Sequence, residues 1–138
     1  MISAGRWVEM DDCIFCKIVS GQIPSSKIYE TDQVLAFDDI HPMAPVHVVV
    51  IPKIHIPTLM DVTIDRMKDL GALFFGVQEV AQIKGIDQSG FRTVINCNRE
   101  GGQVIFHLHI HVLGGVKLKD ALNWFFQDLL TNGEGDII

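Results

Sequence analysis

From Val104 to Leu113 the chain reads Val-Ile-Phe-His-Leu-His-Ile-His-Val-Leu. Successive side chains of a β-strand point to opposite faces, so Val104, Phe106, Leu108, Ile110 and Val112 predict one wholly apolar face that must lie against a core. The other face carries His107, His109 and His111, each about 7 Å from the next at two residues of strand rise. A row of three imidazoles on a sheet is costly unless it has a use. Neighbours at i and i+2 can share a metal ion, or one can be a nucleophile that the others orient, and spacing alone does not choose.

Such a strand needs a sheet around it. Lys27–Glu30 and Val34–Asp38, separated by Thr31-Asp32-Gln33, predict a hairpin, and the β-branched run Val46–Ile51, ended by Pro52, predicts a third strand. Phe91–Cys97 predicts another, joined to the histidine strand by the polar loop Asn98-Arg99-Glu100-Gly101-Gly102. Thr63 opens a long helical pattern through Met67, Leu70, Leu73, Phe74, Val77 and Ala81, closed by Lys84-Gly85, which should lie across the sheet. Cys13–Ser20 predicts a two-turn helix with Asp11 or Asp12 as N-cap and Gly21 as stop. Residues 1–10 have no periodicity and read as an N-terminal extension, 11–116 as the domain proper, and 117–138 as a tail with a helical pattern from Leu118 to Leu130. The fold class expected is α+β, a five-stranded antiparallel sheet with a long helix across it and an extra C-terminal helix.

Composition narrows the function classes. At 138 residues and 48% hydrophobic, the chain suits one domain with a full core and is not disordered. Its net charge of −6 is the wrong sign for holding nucleic acid by counterion release, yet a local cluster of donors can still bind a small phosphate ligand. No apolar window of about 18 residues and no signal-peptide pattern is present, so the expectation is a cytoplasmic protein without a membrane partner. Three cysteines are too few and odd in number for a disulfide scaffold. Two of them, Cys13 and Cys16, share a helix face, and with two distant imidazoles they would make a closed zinc site; the alternatives are two buried inert thiols or a redox pair, the last of which wants a βαβ context that this order of elements does not supply.

The segment Gly101-Gly102-Gln103 followed by His107-Leu108-His109-Ile110-His111-Val112-Leu113 resembles the histidine-triad (HIT) motif. Further blocks agree with the Hint-like branch of that family: Cys13-Ile14-Phe15-Cys16, Phe37-Asp38-Asp39-Ile40 with Pro42, Pro45 and His47, Ile51-Pro52-Lys53 with His55, and Val94-Ile95-Asn96. The resemblance spans about residues 13–115. It implies a homodimer, pairing through the long helix and the central strand, that binds purine nucleotides. It further implies that His109 is a nucleophile forming a nucleotidyl-histidine intermediate, with His111 and Gln103 holding phosphate oxygens and no catalytic magnesium. Asn96 would stand near the phosphate, Asp39 would take the ribose hydroxyls, and Ile14, Phe15, Ile18, Phe37 and Ile40 would line the base pocket. By the same carry-over, Cys13, Cys16, His47 and His107 would hold a structural zinc, leaving His41 and His55 as turn and strand-end polar contacts.

The chain departs from the family at Val104, where many Hint-like members carry a hydroxyl, and in the tail around Trp124-Phe125-Phe126. The activity expected is cleavage of the P–N bond of purine nucleoside phosphoramidates. The alternatives are a dinucleoside polyphosphate hydrolase, a nucleotide-binding module of low turnover, or a zinc hydrolase with all three triad histidines as ligands.

Overall fold

The computed structural model describes residues 12–120. The elements in order are α1 (Ile14–Val19), β1 (Lys27–Glu30), β2 (Val34–Asp38), β3 (Val46–Pro52), α2 (Met67–Ile83), β4 (Phe91–Val94) and β5 (Ile110–Gly114). Two single-turn 3-10 helices, Leu59–Asp61 and Ile64–Arg66, lead into α2. All strands join one antiparallel sheet in the order β1-β2-β3-β5-β4. The expected α+β architecture is therefore the observed one.

The sheet is covered on both faces. On one, Val34, Ala36, Val48, Val50, Ile110 and Val112 pack under α2 through Leu73, Val77, Val80 and Ala81. On the other, Leu35, Phe37, Val49 and Ile51 pack against Cys13, Phe15 and Ile18 of the α1 region. Double coverage explains why β3 is an unbroken apolar run instead of an alternating one. Helix α2 sits close to the sheet because residue 76 is glycine: a Cβ there would stand 3.1 Å from Val34 Cγ1.

Several expected boundaries move. Helix α1 is capped by Cys13, whose Sγ accepts from the Cys16 N–H, and not by an aspartate. The helical pattern from Thr63 becomes a 3-10 turn before α2 begins, and Phe74, expected inward, is half-exposed. Strand β4 stops at Val94, and the histidine strand begins only at Ile110. Residues 103–109 are held by other bonds: Leu108 N–H donates to Ile56 O at 2.7 Å, and the Gln103 amide bonds Pro57 O and Ile105 O. Consequently Val104, assigned to the apolar face, is 86% exposed. The expected 1–10 extension and the tail beyond residue 120 lie outside the described residues, and residues 117–120 are not helical. No helix among the described residues is long and apolar enough to cross a membrane.

Candidate functional site

The face of the sheet that carries α1 also carries a cavity of about 540 Å³. Sheet register builds it. His111 on β5 pairs with Val49 on β3, and Val49 pairs with Phe37 on β2, so all three side chains share that face. His47, paired with Leu113, lies one step along β3 on the same side. His109, His111, His47, Asp39, Asn96, Ile14, Phe15, Ile18, Phe37 and Ile40 all line the cavity, as does Val104 at its exposed rim. The expected nucleotide-contact residues are thus brought together.

Backbone partners assign the protons on the imidazoles. His109 Nδ1–H donates to the carbonyl of His107 at 2.7 Å, which leaves Nε2 with a lone pair. His47 Nδ1 accepts the Met43 N–H at 3.0 Å, so its proton sits on Nε2, 2.9 Å from His111 Nδ1 and 3.4 Å from Asp39 Oδ2. His111 Nδ1 then accepts, and its own proton lies on Nε2. The rings of His109 and His111 stand 4.9 Å apart at 79°, a lone pair beside an N–H donor. Burial drives both away from protonation. The His109 pKa is lowered by burial against the opposing His107 carbonyl and Asp39. That of His111 is pushed down to about 4 by burial and then by the neighbouring His109 and His47. Phe15 fixes the group from beneath, edge-on to His109 at 5.2 Å and to His107 at 5.8 Å; a wedge between the two histidines was not read from sequence, where Phe15 counted only as base-pocket lining.

The third triad histidine turns the other way. His107 is fully buried, and its Nε2–H donates to Pro52 O at 2.8 Å. Its free Nδ1 lies 3.4 Å from Cys13 Sγ, 3.6 Å from Cys16 Sγ and 3.3 Å from His55 Nδ1, while Cys16 Sγ is 3.3 Å from His55 Nδ1. Around tetrahedral zinc, with Zn–N near 2.0–2.1 Å and Zn–S near 2.3 Å, the N···N edge is about 3.3 Å and the N···S edge about 3.6 Å. The four donor atoms therefore have the spacing of a tetrahedral metal site, and this cluster could hold a metal ion. Burial, followed by the hydrogen bond and charge of Cys13, pushes the Cys16 thiol up to about 12, so two thiolates here require a cation.

His55 thus takes the place that the family resemblance gave to His47. Antiparallel register explains the correction: His47 pairs with Leu113, at the end of β5 remote from His107, whereas the turn after Pro52 leads back toward His107 and α1. With β3 antiparallel to β5, a ligand partnering the residues before β5 must follow β3 and cannot begin it. Asp39, His47 and His111 also converge within metal-binding distance. The Met43 N–H, however, leaves His47 Nε2 protonated, so this trio is set for hydrogen bonding.

Gln103 is a second correction. It does not line the cavity. Both hydrogens of its Nε2 are used, on Pro57 O at 2.8 Å and Ile105 O at 3.0 Å, and its Oε1 accepts the Asn98 N–H at 2.8 Å. No donor is left for a phosphate, and Gln103 instead braces the loop that carries His107 and His109. The same turn has Asn98 at φ 62° and admits only glycine at position 101, where a Cβ would fall 2.5 Å from Cys97 O.

Comparison with known proteins follows this geometry. Residues 20–118 match the HIT domain model. A purine nucleoside phosphoramidase of Escherichia coli K12 is 43% identical over 112 residues, covering 81% of this chain and 94% of that protein. The solved structure of a histidine triad protein from Clostridium difficile superposes with a TM-score of 0.77 at 46% identity, covering 83% of this chain and 98% of that one. A HIT family hydrolase from Clostridium thermocellum gives 0.79 at 39% identity, covering 81% and 97%. The chain belongs to the HIT family.

Proposed function

We propose that this protein hydrolyses purine nucleoside phosphoramidates through a nucleotidyl-histidine intermediate. The observation that carries the proposal is that the rings of His109, with its Nε2 lone pair, and His111, with its Nε2–H, stand 4.9 Å apart in the lining of one cavity. His109 Nε2 attacks the α-phosphorus, the P–N bond breaks with its electron pair going to nitrogen, and the leaving amine takes a proton from solvent. Water then attacks the nucleotidyl-histidine and returns His109 to its neutral form. His111 donates to the phosphoryl oxygen that gains charge, a task that magnesium performs in many phosphoryl transfers. Asp39 Oδ1 is engaged by the His41 N–H at 2.8 Å, which aims the carboxylate, and Oδ2, 3.4 Å from His47 Nε2, has lone pairs to spare for ribose hydroxyls. The purine assignment draws support from the relative in Escherichia coli, and the apolar walls suit a flat base.

Cys13, Cys16, His55 and His107 would hold zinc in a structural role, since four protein ligands close the tetrahedron and leave no position for water. Bound there, the ion would supply charge compensation for two thiolates and tie α1 to the loops after β3 and before β5. Three free cysteines suit a reducing cytoplasm. A homodimer is favoured by Met67, Phe74 and Phe75, exposed on α2, together with Phe91 on the edge strand β4.

The test is release of AMP from adenosine 5′-phosphoramidate, with diadenosine polyphosphates as competing substrates. His109→Ala should lose about 10³-fold or more in kcat. Full activity in that variant, or faster cleavage of the dinucleotides, would overturn the reading.

A further inference from the structure

The ring of Phe15 lies against both residues of the bond that orients the nucleophile. It stands 5.2 Å from the His109 ring at 90° and 5.8 Å from the His107 ring at 72°, and His109 Nδ1–H donates to the His107 carbonyl. Both are near-perpendicular aromatic contacts, a favoured arrangement in which the edge of one ring meets the face of the other. The hydrogen bond alone does not fix the imidazole. Attachment through Cβ and the bond at Nδ1 hold the ring near two points, and it can still rock about the line between them, carrying Nε2 with it. A second ring packed at right angles opposes that rocking.

Phe15 serves as a stop only if it is itself held. Helix α1 has 6 residues, too few to stand without packing. Cys13 and Cys16 bracket Phe15 and tie this helix to the loops around it: Cys13 Sγ lies 3.4 Å from His107 Nδ1, and Cys16 Sγ lies 3.3 Å from His55 Nδ1. Phe37 of β2 adds a third contact, 5.6 Å from Phe15 at 74°. Phe15 is 6% exposed and His109 7%, so close packing leaves neither ring room for a large excursion.

We propose that Phe15 is a positioning residue that holds the His109 imidazole in line for attack on phosphorus. This rests on the nucleotide-hydrolase reading above. It is separate from the place of Phe15 in the cavity wall. A wall for the base acts on substrate affinity, whereas a stop for the imidazole acts on the rate of attack once substrate is bound. Misplacing the reacting atoms by about 1 Å can cost about 100-fold in rate.

The experiment compares the full chain with Phe15→Leu, Phe15→Ala and Val19→Ala. Val19 packs from α1 against the same apolar cluster as Phe15, so its variant reports what general loosening of the helix does. With saturating adenosine 5′-phosphoramidate, single-turnover formation of the nucleotidyl-histidine should slow about tenfold in Phe15→Leu and about 100-fold in Phe15→Ala, and stay within about twofold of wild type in Val19→Ala. In the substrate-free proteins the NMR signal of the His109 Nδ1–H should exchange with water faster in both Phe15 variants than in wild type or Val19→Ala. Phe15→Leu keeps most of the apolar volume and carries the test should Phe15→Ala fail to fold. A raised KM with an unchanged rate of attack, an undisturbed His109 signal, or equal slowing by Val19→Ala would overturn the assignment. Failure of wild type to cleave the phosphoramidate would instead overturn the underlying reading, and this role with it.

Discussion

Removing His55, a proposed ligand of the Cys13/Cys16/His107 cluster, offers the sharpest test of that site. A metal held by Cys13 and His107 closes a loop spanning 94 residues. The chain-entropy relation for a cross-link of that span gives about 4.7 kcal/mol at 25 °C. At about 2.1 cal/mol/K per residue over 138 residues, that corresponds to a fall in Tm of about 16 °C. The Cys13/Cys16 pair retains some affinity for metal in the unfolded chain, which lowers the loss to about 10–16 °C. His55→Ala should therefore lose its metal and melt about 10–16 °C below wild type, while His55→Cys, which restores a ligand, should recover most of both. His47→Gln should keep its metal and lose activity, because it disturbs the contacts to Met43, His111 and Asp39 and none in the cysteine cluster. Metal analysis and calorimetry on the four proteins decide the matter. A full metal equivalent in His55→Ala with unchanged Tm, together with metal loss in His47→Gln, would refute the assignment.

Three further outcomes follow from the geometry. Burial holds His109 and His111 below the usual histidine range, so both stay neutral in the fold while the unfolded chain takes up protons first. Stability should be level above about pH 6.5 and fall between about pH 6.5 and 4, and urea melts at pH 7.5 and 5.0 that show the reverse order would contradict this. Gln103→Ala should cost about 1–3 kcal/mol by leaving the buried Pro57 carbonyl and the half-buried Asn98 N–H and Ile105 carbonyl without their partner, read as lost stability without any nucleotide present; a variant as stable as wild type would overturn the bracing role. Gly101→Ala should cost about 1–3 kcal/mol and lower kcat, because its Cβ meets backbone and the turn must shift; equal Tm and kcat would show that the turn yields freely.

Local signals were strongest where neighbours agree. The hairpin Lys27–Glu30 and Val34–Asp38 matches its predicted bounds residue for residue, since two short runs and the polar turn between them point the same way. The alternation of residues 104–109 misled because pattern alone cannot show whether a partner strand is present. Val94 is the last ladder partner of β4, so the segment before Ile110 bonds to the Pro52–Pro57 turn instead. The cavity walls, Phe37, Ile18 and Asp39 among them, were legible because their order along the chain resembles the family pattern. His55 and the backbone role of Gln103 were not, since each depends on which loop lies beside which, a property of register and not of composition.

The group that orients His109 is the main-chain carbonyl of His107, and every residue type placed at position 107 supplies that carbonyl. An alanine scan of this site would consequently find no side chain hydrogen-bonded to His109 Nδ1. The contact is reachable by backbone chemistry: replacing the amide between residues 107 and 108 with an ester makes the carbonyl a poorer acceptor while every side chain stays in place. It also forfeits the bond from the Leu108 N–H to Ile56 O. One peptide unit, invisible to codon-level mutagenesis, thus joins the orientation of His109 to the seam between two loops.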